Sequence, residues 1–140
     1  MQTWKLKLPL LRYSLLSFLL GLSMSAHADS PLADTIKSGD RQSALAMIRA
    51  GADVNEPQND GTTPLHWAVY QVDLELVATL LRSEAGANVS NVFGASPLSQ
   101  AARVANPDMV AMLLDAGADP DMANSDGQTP LMLAAWTGVV

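Results

Sequence analysis

The tetrapeptide Thr-Pro-Leu-His at residues 63–66 recurs in related forms along the chain and decides how the sequence is organised. It returns as Ser-Pro-Leu-Ser at 96–99 and as Thr-Pro-Leu-Met at 129–132, and the two steps are equal in length. One equal step back from the first copy lies Ser-Pro-Leu-Ala at 30–33. A fixed period of roughly 20–50 residues is typical of stacked repeat proteins, in which each unit buries its apolar face against its neighbours.

Two further landmarks recur with the tetrapeptide. A glycine precedes each of the three later prolines, at Gly61, Gly94 and Gly127. Gly-Ala-Asp occurs at 51–53 and 117–119, and we align Gly-Ala-Asn at 86–88 with these two copies. This alignment gives the second unit two extra residues, so it predicts a bulge at the helix end near 82–84. It also predicts that the next hairpin, around Asn91, is two residues shorter than the others.

Each unit is predicted to contain two short helices followed by a protruding hairpin. Ser or Thr before Pro starts the first helix, because the hydroxyl can cap a free N–H and proline is tolerated at the first helical position. Glycine ends this helix at Gly39 and Gly138, where a left-handed residue is expected. The second helix carries apolar residues at helical spacing, as in 74–81 of the second unit.

The strings Asp-Gly-Thr-Thr-Pro-Leu-His-Trp-Ala-Val at 60–69 and Leu-Leu-Asp-Ala-Gly-Ala-Asp-Pro-Asp at 113–121 resemble ankyrin repeats. The resemblance implies an all-α repeat solenoid, an ankyrin-like stack of helix-turn-helix units with protruding β-hairpin loops. It covers residues 30–140, with units at about 30–62, 63–95, 96–128 and an incomplete unit at 129–140. Val72 and Ala105 stand where the family prefers glycine, so the turns at these two residues are expected to be strained.

Residues 1–28 have the layout of a signal peptide for export. Lys5, Lys7 and Arg12 form a basic start, 13–22 is a short apolar run, and Ala-His-Ala at 26–28 supplies small residues before a cleavage site. The alternative, a membrane anchor, would need an apolar run of about 20 residues. We therefore expect cleavage after residue 28, an ankyrin-repeat domain over 29–140 without a membrane anchor, and a periplasmic location; the alternative location is secreted.

Charge and composition narrow the classes of function. The whole chain has a formal charge of −6, but residues 29–140 hold five basic and fourteen acidic residues, a net −9. Binding to nucleic acid is not expected, because the phosphate backbone would repel such a domain. The chain has no cysteine, so disulfides and thiolate chemistry are excluded.

An enzyme or a metal-binding domain of the cell envelope is the alternative class of function. His66 could be a catalytic base, but the resemblance implies a structural histidine that forms hydrogen bonds within and between repeats. The pairs Asp119 with Asp121 and Glu56 with Asp60 could bind calcium, yet they lack the glycine and the distal glutamate of a calcium loop. A glycine-rich phosphate loop and a nucleophile elbow are also missing from the sequence. We therefore predict no enzymatic activity, no metal and no cofactor.

The resemblance implies a concave groove, formed by the hairpin tips and the first helices, that binds a protein partner. The predicted partner-binding residues are Asn59, Asp60, Thr62, Tyr70, Gln71, Phe93, Arg103, Asp126, Gln128 and Trp136. Aromatic and arginine side chains often dominate binding energy, whereas Trp67 is assigned to the core. The partner is an unknown protein, and the net negative charge predicts that its contact face is basic or mixed. Through this groove the chain would act as a scaffold, inhibitor or stabiliser.

The fourth unit contains a first helix, and the sequence stops at Val140 before a second one. Apolar residues such as Leu131 and Leu133 are then expected to lack cover, although repeat arrays need end units with a polar outer face. We expect that the chain is a fragment, or that a partner or a second copy covers this end by self-association. The alternative is that the half-unit forms a frayed cap.

Overall fold

A computed structural model describes residues 30–138 of the chain, so the predicted signal peptide and Val140 lie outside the described residues. This range holds seven helices: α1 (Pro31–Lys37), α2 (Arg41–Arg49), α3 (Pro64–Tyr70), α4 (Leu74–Arg82), α5 (Pro97–Arg103), α6 (Pro107–Asp115) and α7 (Pro130–Thr137). None of them is long and apolar enough to cross a membrane.

The helices begin where the capping residues predict. The first helix of every unit starts at the proline of the repeated tetrapeptide, and in the third unit the Ser96 hydroxyl accepts the Ser99 N–H at 3.2 Å. The second helices are capped by Asp40, Asp73 and Asn106, whose side chains accept the N–H three residues later at 3.0–3.1 Å. A helix cap at each junction fixes the chain reversal between the two helices of a unit.

The helices pack in two layers around a main core, and a second, smaller buried cluster of Ala102, Leu133 and Ala134 lies at the last unit. First helices α1, α3, α5 and α7 contact each other in order, and second helices α2, α4 and α6 form the other layer. The largest fully buried side chains lie between the layers and include Ile36, Leu65, Leu80, Leu98 and Leu113. The predicted all-α solenoid is therefore confirmed for the described residues.

The repeat period continues through the second unit without an insertion, so the predicted bulge near 82–84 is wrong. Gly51, Glu84 and Gly117 are equally spaced along the chain, and all three adopt the left-handed conformation at φ +88°, +65° and +87°. At each of these helix ends the next residue donates its N–H to a carbonyl five residues back, as Ala85 does to Leu80 at 3.0 Å. Gly86 thus lies two residues beyond Glu84, and it is Glu84 rather than Gly86 that corresponds to Gly51.

The hairpin turns also have equal lengths, so the predicted shortening around Asn91 is wrong. Gln58, Asn91 and Asn124 each donate their N–H to the carbonyl four residues later, at 2.9, 3.1 and 2.9 Å. No β-strand is assigned within residues 30–138. The predicted protruding hairpin loops are therefore tight loops closed by turn hydrogen bonds.

Asn55 and Asn88, at equivalent positions of the first two units, each join a loop to the following unit. The Asn55 side chain donates to the Glu84 carbonyl at 3.1 Å and accepts the Gly86 N–H at 2.7 Å. Asn88 repeats this pair with Gly117 and Asp119, at 2.9 and 2.7 Å. These bonds satisfy backbone groups at the helix end of one unit with a side chain from the unit before it.

The expected strain at the first-helix ends is present. Val72 and Ala105 have φ +59° and +57°, in the region that Gly39 and Gly138 occupy at +83° and +75°. A side chain in this conformation costs roughly 1–2 kcal/mol, and the sequence pattern missed that Glu84 carries the same penalty.

We expect Val72→Gly, Glu84→Gly and Ala105→Gly each to raise the free energy of unfolding by about 0.5–1 kcal/mol, since the relief of left-handed strain exceeds the extra freedom that glycine gives the unfolded chain. Ala116→Gly is the matched control. Ala116 follows α6 at φ −82°, where alanine is unstrained, so glycine should lower the stability of the protein. Urea unfolding measures all four variants, and a loss of stability in Ala105→Gly equal to that in Ala116→Gly would contradict the strain argument.

Candidate functional site

The last turns of the first helices place four exposed side chains along one face of the stack. Lys37, Tyr70, Arg103 and Trp136 occupy the same position in four successive units, and all four are exposed. Tyr70 is 61% exposed and Trp136 84%. Such large aromatic side chains lie on a surface without being needed for the core, which makes them candidates for contact with another molecule.

The loop tips supply the other side of this face. Asp60, Phe93 and Asp126 occupy equivalent positions, and Phe93 is 68% exposed. Burial raises the pKa of Asp60, but hydrogen bonds from Thr62 and the positive charge of Lys37 outweigh it, so the net pKa lies below its usual range. The two tip carboxylates therefore flank an aromatic ring, and Asp60 is charged at neutral pH.

Two clefts adjoin between the first helices and the loop tips, and Arg103 borders both. The first cleft, of about 430 Å³, is lined by Tyr70, Phe93, Ala95, Gln100, Arg103 and Val104. The second, of about 340 Å³, is lined by Arg103, Asn124, Asp126, Gln128, Leu133, Trp136 and Thr137. We call the two clefts together the groove. The structure thus brings together six of the predicted partner-binding residues: Tyr70, Phe93, Arg103, Asp126, Gln128 and Trp136.

A family model for ankyrin repeats in three copies matches residues 70–140. The chain belongs to the ankyrin-repeat family. A comparison with curated proteins finds none that matches it. Ankyrin repeats generally mediate protein–protein interaction and are typically not enzymes.

Trp67, which the sequence analysis assigns to the core, packs against the buried core of the ankyrin stack and is also partly exposed. It is half-buried, its indole N–H donates to the Gln58 side chain at 2.7 Å, and its ring meets the edge of Tyr70 at 5.8 Å. The Lys37 ammonium lies 5.0 Å from the ring centroid. Trp67 therefore lies at the edge of the core between the first two units, and its ring lies next to Lys37 and Tyr70.

Two predicted binding residues have structural contacts instead. Thr62 is buried, and its hydroxyl accepts the Asn91 side chain at 3.3 Å, so its assignment to the binding surface is wrong. Gln71 is exposed, but its amide donates to the Ile36 carbonyl of the preceding repeat at 2.6 Å. These contacts hold neighbouring ankyrin repeats together.

The remaining predicted residues outside the clefts are Asn59 and Asp60 at the first loop tip, where Asn59 is exposed and Asp60 is half-buried. The clefts also contain Gln100, Asn124 and Leu133, which the sequence analysis did not single out. Gln100 and Leu133 occupy the position of Trp67 in the next two units, so the period could have indicated both once Trp67 was found at the edge of the core.

His66 is engaged on both ring nitrogens within the ankyrin stack. Its Nδ1 accepts the Thr63 N–H at 3.1 Å, and its Nε2 lies 2.9 Å from the Ala95 carbonyl of the next loop. This pattern assigns the neutral ring with the proton on Nε2. Burial lowers the pKa of His66, which keeps the ring neutral and its hydrogen bonds intact. Among the described residues no group of three or more metal-ligating side chains comes together.

Proposed function

We propose that this chain is an exported interaction module that binds a protein partner through the groove, as a scaffold, inhibitor or stabiliser. The observation that carries the proposal is the adjacency of Tyr70, Phe93, Arg103 and Trp136 around two joined clefts. Aromatic and arginine side chains in clefts are the residues that most often dominate protein binding. Because these four side chains are exposed and do not belong to the core, they are available for contact with a partner.

Export is the second part of the proposal, with the periplasm as the location and secretion as the alternative. It is supported by the basic start, the short apolar run and the Ala-His-Ala at 26–28, which precede the first ankyrin unit directly. The partner would then be another exported protein.

The partner is proposed to have a mixed contact face. Lys37 and Arg103 contribute positive charge to the binding face, while Asp60 and Asp126 lie at the loop tips. The net −9 of residues 29–140 would attract a partner that is basic around its contact patch. Association should then slow as salt is added, because long-range attraction between exposed charges is screened.

We expect Tyr70→Ala and Trp136→Ala each to weaken partner binding by roughly 1–3 kcal/mol, since truncation of a central aromatic residue removes buried contact area. The measurement begins with capture of partners from the envelope fraction on the purified chain. Affinity of the captured partner for each variant is then determined by calorimetry.

Leu131→Ala is the matched control for this experiment. Leu131 is 64% exposed, but it lies beside Leu114 in an apolar cleft of about 180 Å³ at the C-terminal face of the stack, away from the groove. Loss of the side chain should leave partner binding unchanged and would reduce self-association, which we place at this end. If both groove variants fold normally and bind with unchanged affinity, the groove is not the binding site.

A further inference from the structure

We propose that the groove takes an extended segment of the partner in which one acidic residue stands between two apolar residues. This inference rests on the proposed function and specifies its ligand. The acidic side chain pairs with Arg103, and the two apolar side chains occupy the clefts on either side of it.

Arg103 has the features of an unpaired cation placed for a ligand. It is exposed and borders both clefts. Within residues 30–138 both salt bridges belong to Arg41, with Asp73 and Glu75, so Arg103 has no ion-pair partner there. An arginine can take a carboxylate in a bidentate arrangement. The guanidinium is thus available to pair with a carboxylate of the ligand, although acidic residues outnumber basic ones in this domain.

The two clefts differ in a way that limits the ligand to one acidic residue. The first cleft presents Tyr70, Phe93 and Val104 and suits an apolar side chain. The second offers Leu133 and Trp136 as its apolar wall but also contains Asp126, which repels a second carboxylate. A ligand with several acidic residues in a row is therefore disfavoured. The positive charge that attracts an acidic side chain is confined to Arg103.

An extended strand is the form of ligand that reaches both clefts. Its successive side chains point to opposite faces, so residues i, i+2 and i+4 share one face. Apolar residues at i and i+4 can therefore enter the two clefts while the acidic residue at i+2 faces the guanidinium at their border. Tyr70, Arg103 and Trp136 come from three successive units at the same repeat position, which gives the groove the linear arrangement that such a segment needs.

The test is a selection of random linear dodecapeptides displayed on phage, against the purified full chain. Enriched peptides are synthesised with amidated C-termini and titrated into the chain, Arg103→Gln, Arg103→Glu and Tyr70→Ala. Arg82→Gln is the matched control, because Arg82 lies on α4 in the other helix layer, where it bonds to Thr79.

We expect the enriched peptides to share an acidic residue with an apolar residue two positions before it and another two positions after it. Their affinity should fall roughly 10- to 100-fold in Arg103→Gln, as for loss of a hydrogen-bonded charged pair, and should not change in Arg82→Gln. Arg103→Glu should instead prefer the same peptide with lysine in place of the acid.

Three results would overturn the inference. Peptides that lose affinity in Tyr70→Ala but contain no acidic residue, or tolerate Arg103→Gln, would leave groove binding intact and remove the acidic ligand. Peptides that keep their affinity when the acidic residue is replaced by its amide would show that the charged pair with Arg103 is not needed. Absence of any peptide sensitive to Tyr70→Ala, together with partner capture that is also insensitive, would remove both the inference and the proposed function.

Discussion

Replacement of Gly94 by alanine is expected to lower the free energy of unfolding by about 3 kcal/mol or more, the sum of a backbone penalty and a steric overlap. Gly94 is in the left-handed region at φ +71°, and a Cβ built on it would overlap the backbone nitrogen of Ser125 in the next loop. The left-handed penalty is roughly 1–2 kcal/mol, and the overlap adds about 1–3 kcal/mol because backbone rather than a flexible side chain must shift. Urea unfolding followed by circular dichroism gives the value.

Gly127→Ala separates these two contributions. Gly127 ends the equivalent turn at φ +75°, but nothing lies within 4 Å of a Cβ at that position. This variant should therefore lose only about 1–2 kcal/mol, the cost of the backbone conformation. If both variants lost the same stability, the close approach of the second and third loops would have no energetic weight.

His66→Ala is expected to destabilise the protein by about 3 kcal/mol, because both the cavity and the polar groups left unpaired are costly. The change removes a buried ring, the acceptor for the Thr63 N–H and the donor to the Ala95 carbonyl. His66→Ser is the graded control, because Ser99 stands at the equivalent position of the next unit and accepts the Ser96 N–H at 2.9 Å. The serine variant should keep the local bond and lose only the bond between units.

The same histidine should make stability depend on pH. The folded protein holds the pKa of His66 below its usual value because the ring is buried, whereas the unfolded chain has a pKa of about 6.5. Its contribution is therefore fully present above about pH 6.5 and declines as the pH falls toward the folded pKa, by about 1.4 kcal/mol per unit. Unfolding free energies between pH 7 and 5 should decline in the parent chain and stay level in His66→Ser. An equal decline in both would assign the dependence to other groups.

The repeat and the helix starts could be predicted from sequence because each depends on local chemistry that is visible in a few residues. Pro64, Pro97 and Pro130 begin helices as expected, and Gly138 ends one in the left-handed conformation. The misplaced landmark has an equally definite cause. Glu84 occupies the position that glycine fills at 51 and 117. The sequence comparison instead aligned the nearby Gly86 with these two glycines.

The groove could be predicted only in outline. Exposure of Tyr70, Phe93 and Trp136 followed from the repeat position, and the structure has all three on the surface. The hydrogen bonds of Thr62 and Gln71 across units could not be predicted, since a sequence period does not say which polar side chain reaches its neighbour. Trp67 packs against the core as predicted, but its hydrogen bond to Gln58 in the loop before it could not be predicted either.

The column formed by Lys37, Tyr70, Arg103 and Trp136 has a consequence for how such a protein can change over generations. Each member projects from the same place on a repeated scaffold, and the buried residues lie elsewhere. Because an exposed substitution usually changes stability by no more than about 0.5 kcal/mol, one member of the column can be exchanged while the stack stays folded. The binding specificity can therefore change by one substitution at a time, and each intermediate sequence still folds.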